Sequence, residues 1–130
     1  MAIHESAEDY LEAILKLREA NGNVRSIDVV GELHFSKPSV SVAMKKLRES
    51  GHVEMDENGL LTLTPAGEAI AQRIYERHKV LTLMLTSLGV EEPTAAREAC
   101  KIEHCISQET MDRWSAWMET CRACKHRTEQ

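Results

Sequence analysis

Apolar residues recur at helical spacing along most of this chain, so the hydrophobic pattern predicts a mainly α-helical protein. The first segment, SAEDYLEAILKLREANG, places apolar side chains between Ala7 and Leu17 close to a period of 3.6 residues. We expect a first helix here, capped by Ser6 with Asp9 three residues later and ended by Asn21-Gly22.

Two shorter amphipathic segments, joined by a few residues, predict a helix-turn-helix. Ser26 is expected to cap the first of them. The second has Pro38 in its first turn, and its apolar residues Val40, Met44 and Leu47 fall at i, i+4 and i+7. In this motif the second helix can enter the major groove of DNA.

The segment HVEMDENGLLTLTP alternates apolar and polar residues around a turn that ends in Asn58-Gly59, which predicts a β-hairpin. A hairpin that follows a helix-turn-helix is the wing of a winged-helix domain. Further helices are expected after it. The first opens at Thr64-Pro65 and continues to Gly89, and the next runs from Pro93 to about Ile106. Ser107 is expected to cap the last.

The length of the chain, 130 residues, is enough for one domain or two small subdomains. A formal charge of −5 argues against a generally basic nucleic-acid coat. Residues 36–50 are locally basic, however, and short Ser and Val side chains precede the lysines there. Such side chains allow close approach to base edges while lysines meet phosphates. The alternative is an ordinary amphipathic helix with a solvated lysine face.

Neither a signal peptide nor an apolar run of the ~20 residues that a membrane span needs is seen, so we expect a cytoplasmic protein. Four cysteines in a reducing compartment are then thiols or metal ligands rather than a disulfide framework. Cys121 and Cys124, with His126, could form half a zinc site or a redox pair, and all four cysteines could in principle hold an iron–sulfur cluster. A reduced, idle pair is the favoured interpretation.

The stretch EACKIEHC concentrates metal-binding side chains. Cys100, Glu103 and His104 lie at i, i+3 and i+4, which predicts one face of a helix. Thiolate, carboxylate and imidazole together suit a first-row divalent ion. Other predicted helices offer further ligands: Asp9, Glu12 and His78. Each also has an ordinary interpretation, as a solvated acidic face, a hydrogen-bonded helix histidine or a buried cysteine.

In chain order, these features resemble the iron- and manganese-dependent repressors of the diphtheria-toxin-repressor and manganese-transport-regulator family. The resemblance covers roughly residues 5–118. It is carried by SAEDYLEAILKL, SKPSVSVAMKKL, LTLTPAG, ERHKVL and EACKIEHCIS. It implies a winged helix-turn-helix DNA-binding domain at residues 1–64, then an all-helical metal-binding and dimerisation domain at 65–130. The SH3-like third domain of one family branch is not expected.

The resemblance also implies a ligand set for Fe²⁺ or Mn²⁺, which Co²⁺ or Zn²⁺ can replace: Asp9, Glu12, His78, Cys100, Glu103 and His104. The two carboxylates on the first helix are similar to the manganese branch, and Cys100 is similar to the iron branch. We place Fe²⁺ first and Mn²⁺ close behind, because a thiolate favours softer ions. Thr82 and Ala96 stand where the iron branch has ancillary ligands, which argues against an ancillary site.

The implied function is a homodimeric repressor of metal-homeostasis genes, in which metal orders the dimer to bind a palindromic operator in double-stranded DNA. We expect neither an enzymatic activity nor a small-molecule substrate. The candidate DNA contacts are Arg25, Ser36, Lys37, Pro38, Ser39, Ser41, Val42, Lys45 and Lys46. The candidate dimer contacts are Ile102, Ile106, Met111, Trp114 and Met118. The alternatives are a winged-helix regulator that senses redox or an iron–sulfur cluster and, less favoured, a metal-dependent hydrolase.

Overall fold

Short helices and one hairpin follow each other in the order that the hydrophobic pattern predicts. They are seen in a computed structural model that describes residues 5–128, with side chains described for residues 6–121. The elements are α1 (Glu5–Asn21), α2 (Ser26–Leu33), α3 (Lys37–Glu49), β1 (Val53–Met55), β2 (Leu61–Leu63), α4 (Pro65–Ser87), α5 (Glu92–Ile102) and α6 (Gln108–Thr128). They divide into two compact units, Met1–Tyr75 and Glu76–Gln130, with the boundary inside α4.

The first unit is built around one apolar core. α3 turns Val40, Met44 and Leu47 inward, and all three are buried, because their spacing places them on one face of the helix. The core also contains Leu11, Ile14 and Leu15 of α1, Val29 of α2, Val53 of β1, Leu61 of β2 and Ala71 of α4. Full burial of a Val, Leu or Met side chain contributes about 1.5–3 kcal/mol, so this core holds α3 firmly against α1.

The predicted wing is present as an antiparallel pair, β1 and β2, with Glu54 opposite Thr62 at its centre. In the turn between the strands, the Asp56 carboxylate accepts a hydrogen bond of 2.8 Å from the backbone N–H of Asn58. Gly59 has φ +83°, a left-handed conformation that glycine adopts at little cost. The sequence signal for the hairpin was therefore the turn chemistry itself.

Two of the predicted helix caps, Thr64 and Ser107, are confirmed, and Ser36 forms a third cap that was not predicted. The hydroxyls of Ser36, Thr64 and Ser107 each accept a hydrogen bond of 3.1–3.2 Å from the backbone N–H three residues further on. Each satisfies one of the N–H groups that have no partner within the first turn of a helix. α4 and α6 begin where Thr64 and Ser107 predict, and α3 begins directly after Ser36.

Two predicted caps are wrong. α1 already includes Ser6, since nothing in the preceding sequence blocks the helix from starting earlier. α2 is capped by Arg25 rather than Ser26, because the backbone N–H of Arg25 donates to the Asp28 carboxylate at 2.9 Å. The stop at Gly89 is nearly correct. α4 ends at Ser87, and Gly89 turns the chain away with φ +98°.

The end of α5 differs most from the prediction. The helix was expected to reach about Ile106, but it ends at Ile102, and Glu103 is its C-cap. His104 follows in the turn beyond the helix. The backbone oxygens of Glu103 and Ile106 accept hydrogen bonds from Arg77 of α4, a tertiary contact that the local sequence does not reveal.

The second unit has its own small core, formed by Leu81, Ala99 and Met111. Four of the five residues predicted to form a dimer interface lie in or beside it, namely Met111, Ile102, Ile106 and Trp114. Met111 and Met118 are buried, so they offer little further area to a partner. Ile102, Ile106 and Trp114 are partly buried against the core. Interface roles for all five stay a prediction.

Candidate metal centre and DNA-binding face

Glu103, fully buried at the C-terminal end of α5, is the centre of the candidate metal site in the second unit. Nδ1 of His78 lies 2.9 Å from its Oε2, and Nε2 of His104 lies 3.6 Å from its Oε1. Burial of an ionised carboxylate is costly unless nearby polar or charged groups compensate. The two imidazoles therefore help to keep this carboxylate in the interior.

Cys100 lies one helical turn before Glu103, and the sulfur of Cys100 lies within 4.8 Å of a carboxylate oxygen of Glu103. This confirms that the two residues share one face of α5. The same expectation is wrong for His104, because the helix ends before it and its ring reaches Glu103 from the following turn. Cys105 lies in that turn and is exposed, with its thiol 3.6 Å from the backbone oxygen of Lys101.

His78 is oriented by its contact with Glu103. When Nδ1–H donates to the carboxylate, the lone pair of the neutral imidazole lies on Nε2. Histidines that bind metals commonly donate their other ring N–H in this way, to a carboxylate or a carbonyl. The contact thus orients the His78 ring in the way that is common for metal-binding histidines.

The donor set in the second unit fits a first-row divalent cation. It comprises the imidazoles of His78 and His104, the thiol of Cys100 and the carboxylate of Glu103, which is 0% exposed. Mg²⁺ and Ca²⁺ prefer oxygen ligands alone, whereas nitrogen and sulfur donors select transition metals. The chemistry of these residues agrees with the predicted ligand class.

Asp9 and Glu12 supply a second pair of acids, on α1 in the first unit. Their carboxylate oxygens lie within 4.8 Å of each other. Glu12 is only 3% exposed and lies 3.7 Å from the ammonium group of Lys16. The alternative interpretation, a solvated acidic face, is therefore wrong for Glu12. The pKa of Tyr10 is raised by its burial and then by the negative charge of Asp9.

The outer face of α3 carries most of the candidate DNA contacts. All of its candidate side chains are exposed: Lys37, Pro38, Ser39, Ser41, Val42, Lys45 and Lys46. Val42 is 55% exposed, on the face opposite the core residues of the same helix. An exposed methyl-bearing side chain between hydroxyls and lysines suits contact with thymine methyls and phosphates. The outer face of α3 is thus exposed to solvent, and its contacts with DNA stay a prediction.

Two further candidates have structural tasks that the sequence did not indicate. The guanidinium of Arg25 donates to the backbone oxygen of Asn58 in the wing turn. The hydroxyl of Ser36 caps α3 and also donates to the Ser39 hydroxyl at 2.8 Å. Arg25 thus links the start of α2 to the wing, and no spacing rule could have revealed this contact.

Family comparisons assign the two halves of the chain separately. Residues 2–61 match the N-terminal DNA-binding domain of iron-dependent repressors, and residues 64–130 match the metal-binding and dimerisation domain of the same repressors. The chain belongs to the iron-dependent repressor family. Both matches are to transcription regulators, so this member of the family is a DNA-binding regulator and not an enzyme.

Individual relatives agree. An uncharacterised HTH-type transcriptional regulator of Methanocaldococcus jannaschii is 36% identical over 117 residues, 88% of this chain and 94% of the relative. The transcriptional regulator MntR of Salmonella typhimurium is 36% identical over 115 residues, 88% of this chain and 73% of that protein.

Solved structures share the fold. A manganese-dependent transcriptional repressor in complex with manganese superposes with a TM-score of 0.80 and 30% identity, covering 87% of this chain. IdeR of T. acidophilum gives 0.76 and 27% identity over 92% of this chain. The present chain spans 52% and 55% of those two chains, respectively.

These findings confirm the predicted family, the mainly α fold and the repressor class. They do not favour the redox or iron–sulfur alternative, and the side chains of Cys124 and His126 lie outside the described residues. Among the helices within residues 5–128, none combines the length and the apolar character needed to cross a membrane.

Proposed function

We propose that this iron-dependent repressor family member is a homodimer that binds a palindromic operator when Fe²⁺ or Mn²⁺ occupies its metal site. The observation that carries the proposal is Glu103, a buried carboxylate flanked by His78 and His104, with Cys100 one turn away. The full proposed ligand set is Asp9, Glu12, His78, Cys100, Glu103 and His104.

The proposed switch follows from where the ligands are carried. Asp9 and Glu12 lie on α1, whose apolar face shares a core with the recognition helix α3. The other four ligands belong to the second unit. A bound divalent cation would supply positive charge that offsets the carboxylates of both units. Coupling the units in this way would fix the spacing of two recognition helices in the dimer to match operator half-sites.

We propose that residues 1–64 form the DNA-binding domain and residues 65–130 the metal-binding and dimerisation domain, with α1 lending two ligands to the metal. The protein would act in the cytoplasm, on genes of metal homeostasis. In the DNA-binding domain, short side chains of α3 would read bases, and Lys45, Lys46 and Arg25 would meet phosphates.

The donor chemistry argues for Fe²⁺ first and Mn²⁺ second. A thiolate at Cys100 favours softer ions, and Mn²⁺ stands below Fe²⁺ in the usual order of affinity. Mn²⁺ stays the second candidate because similar solved structures include a manganese-dependent transcriptional repressor with manganese and the manganese regulator SloR. An ancillary site is not proposed. Thr82 offers only a buried hydroxyl, which has no hydrogen-bond partner within residues 6–121, and Ala96 offers no ligand atom.

The test is DNA affinity with and without metal. Duplexes selected by the protein from random sequence would be titrated anaerobically with Fe²⁺, Mn²⁺, Co²⁺ or Zn²⁺ present, so that Cys100 stays reduced. We expect metal to tighten binding about 5- to 150-fold, the usual range of such coupling. Glu103→Ala should abolish this gain, whereas Glu109→Ala, an exposed acid on α6, should keep it. Equal affinity of the wild-type protein with and without every metal would contradict the proposal.

A further inference from the structure

Arg77 of α4 holds the turn that follows α5. One of its terminal nitrogens, Nη1, donates to the backbone oxygens of Glu103 at 3.1 Å and Ile106 at 2.9 Å. The other, Nη2, donates to the side-chain oxygen of Gln108 at 3.1 Å. A single guanidinium thus ties together the end of α5, the connection and the start of α6, all within the second unit.

The contact at Glu103 is made to the peptide group that joins Glu103 to His104. Both are proposed metal ligands, and the direction of each side chain depends on the orientation of that peptide. Arg77 is itself joined by one peptide bond to His78, whose ring lies 2.9 Å from the Glu103 carboxylate. Arg77 is therefore bonded to His78 through the chain and hydrogen-bonded to the peptide between Glu103 and His104. Its guanidinium has no lone pair with which to bind a metal itself.

The strength of the contact comes from charge. Hydrogen bonds from a guanidinium to carbonyl oxygens are stronger than those between neutral groups. The cation also lies at the C-terminal end of α5, where the helix dipole favours positive charge. Gln108 extends the arrangement, because its amide N–H donates to the Asp112 carboxylate at 2.9 Å while its oxygen accepts from Arg77. The amide is thus held in one orientation.

We propose that Arg77 is a positioning residue of the metal centre, which sets metal affinity by fixing the Glu103–His104 peptide relative to His78. The inference rests on the proposed function, since it assumes that these three residues bind the metal. A lysine at the same position could not reproduce the arrangement, because an ammonium group is a point donor without the planar fork of arginine.

Anaerobic titration with Co²⁺ alone tests the proposal, because a Co²⁺–thiolate bond to Cys100 gives a charge-transfer absorption band. The variants are Arg77→Gln, Arg77→Lys and Gln108→Ala. The matched control is Arg97→Gln on α5, an exposed arginine whose contact is with Thr94 at 3.4 Å. Loss of a group that orients metal ligands usually weakens metal affinity about 10- to 100-fold. We expect this for Arg77→Gln, a smaller loss for Arg77→Lys, and wild-type affinity for Arg97→Gln.

The absorption band distinguishes positioning from a general loss of stability. Positioning predicts that the band is altered at saturating Co²⁺ in molecules that keep wild-type helical content. Wild-type affinity and an unaltered band in the Arg77 variants would overturn the inference while leaving the proposed function intact. If Arg77→Gln does not fold, Arg77→Lys and Gln108→Ala decide in the same way. Failure of the wild-type protein to bind Co²⁺ would overturn the inference, whereas the operator titration with Fe²⁺ and Mn²⁺ decides the proposed function.

Discussion

A methyl group added at Gly67 tests how tightly α4 is seated against the wing. Gly67 lies in the first turn of α4, and a Cβ atom there would overlap the backbone oxygen of His52 and lie 3.0 Å from its carbonyl carbon. That oxygen already accepts a hydrogen bond of 3.1 Å from the backbone N–H of Thr64, the cap of α4. Because the obstacle is backbone, it cannot rotate away, and α4 or the segment that leads into β1 must shift.

The expected cost follows from three contributions. Overpacking of a filled site costs about 1–3 kcal/mol. Weakening the hydrogen bond between Thr64 and His52 adds about 0.5–1.5 kcal/mol. Replacing glycine by alanine in a helix returns about 0.5–1 kcal/mol. We therefore expect Gly67→Ala to lower the free energy of unfolding by about 2 kcal/mol, within a range of about 0.5–4 kcal/mol.

Gly31→Ala provides the matched control, because Gly31 lies in α2 and its added Cβ would meet no atom within 4 Å. Here only the helical preference changes, so we expect a gain of about 0.5–1 kcal/mol. Urea unfolding followed by circular dichroism would measure both variants against the wild type. Close packing of Gly67 on the His52 backbone is refuted if Gly67→Ala is as stable as the wild type. It is also refuted if both substitutions shift the urea unfolding midpoint in the same direction.

Three further predictions concern charge and capping. Two hydrogen bonds from Arg18 are the main cause that lowers the pKa of Glu68 from 4.5 to about 2, so the pair stabilises the fold above pH 4.5 and its contribution fades as the pH falls towards 2. Since both side chains are about a third or more exposed, Glu68→Gln should lower the free energy of unfolding by about 1 kcal/mol at neutral pH. Urea unfolding at several pH values would measure this loss, and a loss that did not shrink on acidification would refute the prediction. Ser36→Ala should lower the unfolding free energy by about 1 kcal/mol and Ser36→Gly by only a few tenths, as urea midpoints would show; equal costs would contradict a capping role. Lys45→Gln should reduce the slope of log operator affinity against log salt concentration by about one, because one phosphate contact is lost. An unchanged slope would exclude a phosphate contact by Lys45.

Local signals explain what the sequence could predict. The wing is encoded by its own turn, in which Asp56 and Gly59 provide a side-chain acceptor and a left-handed residue. The capping of α4 by Thr64 likewise depends on residues three positions apart. Cys100 and Glu103 share a face of α5 because three residues make nearly one helical turn. In each case the partners lie within a few residues, so spacing alone identifies them.

Contacts between distant segments explain what it could not. No glycine or proline follows Ile102 before Ser107, so the pattern extends α5 to Ile106. The observed end coincides with hydrogen bonds from Arg77, which lies 26 residues before Glu103. That end also moves His104 off the helix. Periodicity identifies the apolar face of a helix but not what covers that face. Met111 lies in the second unit's own core, and its role in a dimer interface stays a prediction.

In the proposed switch, metal and operator DNA stabilise the same state of the dimer. The most direct measurement is Mn²⁺ or anaerobic Fe²⁺ affinity of the wild-type protein, with and without a saturating operator duplex. Thermodynamic linkage requires operator to raise metal affinity by the same factor by which metal raises operator affinity, which we expect to be about 5- to 150-fold. A metal affinity that is unchanged by operator DNA would contradict the proposed metal switch.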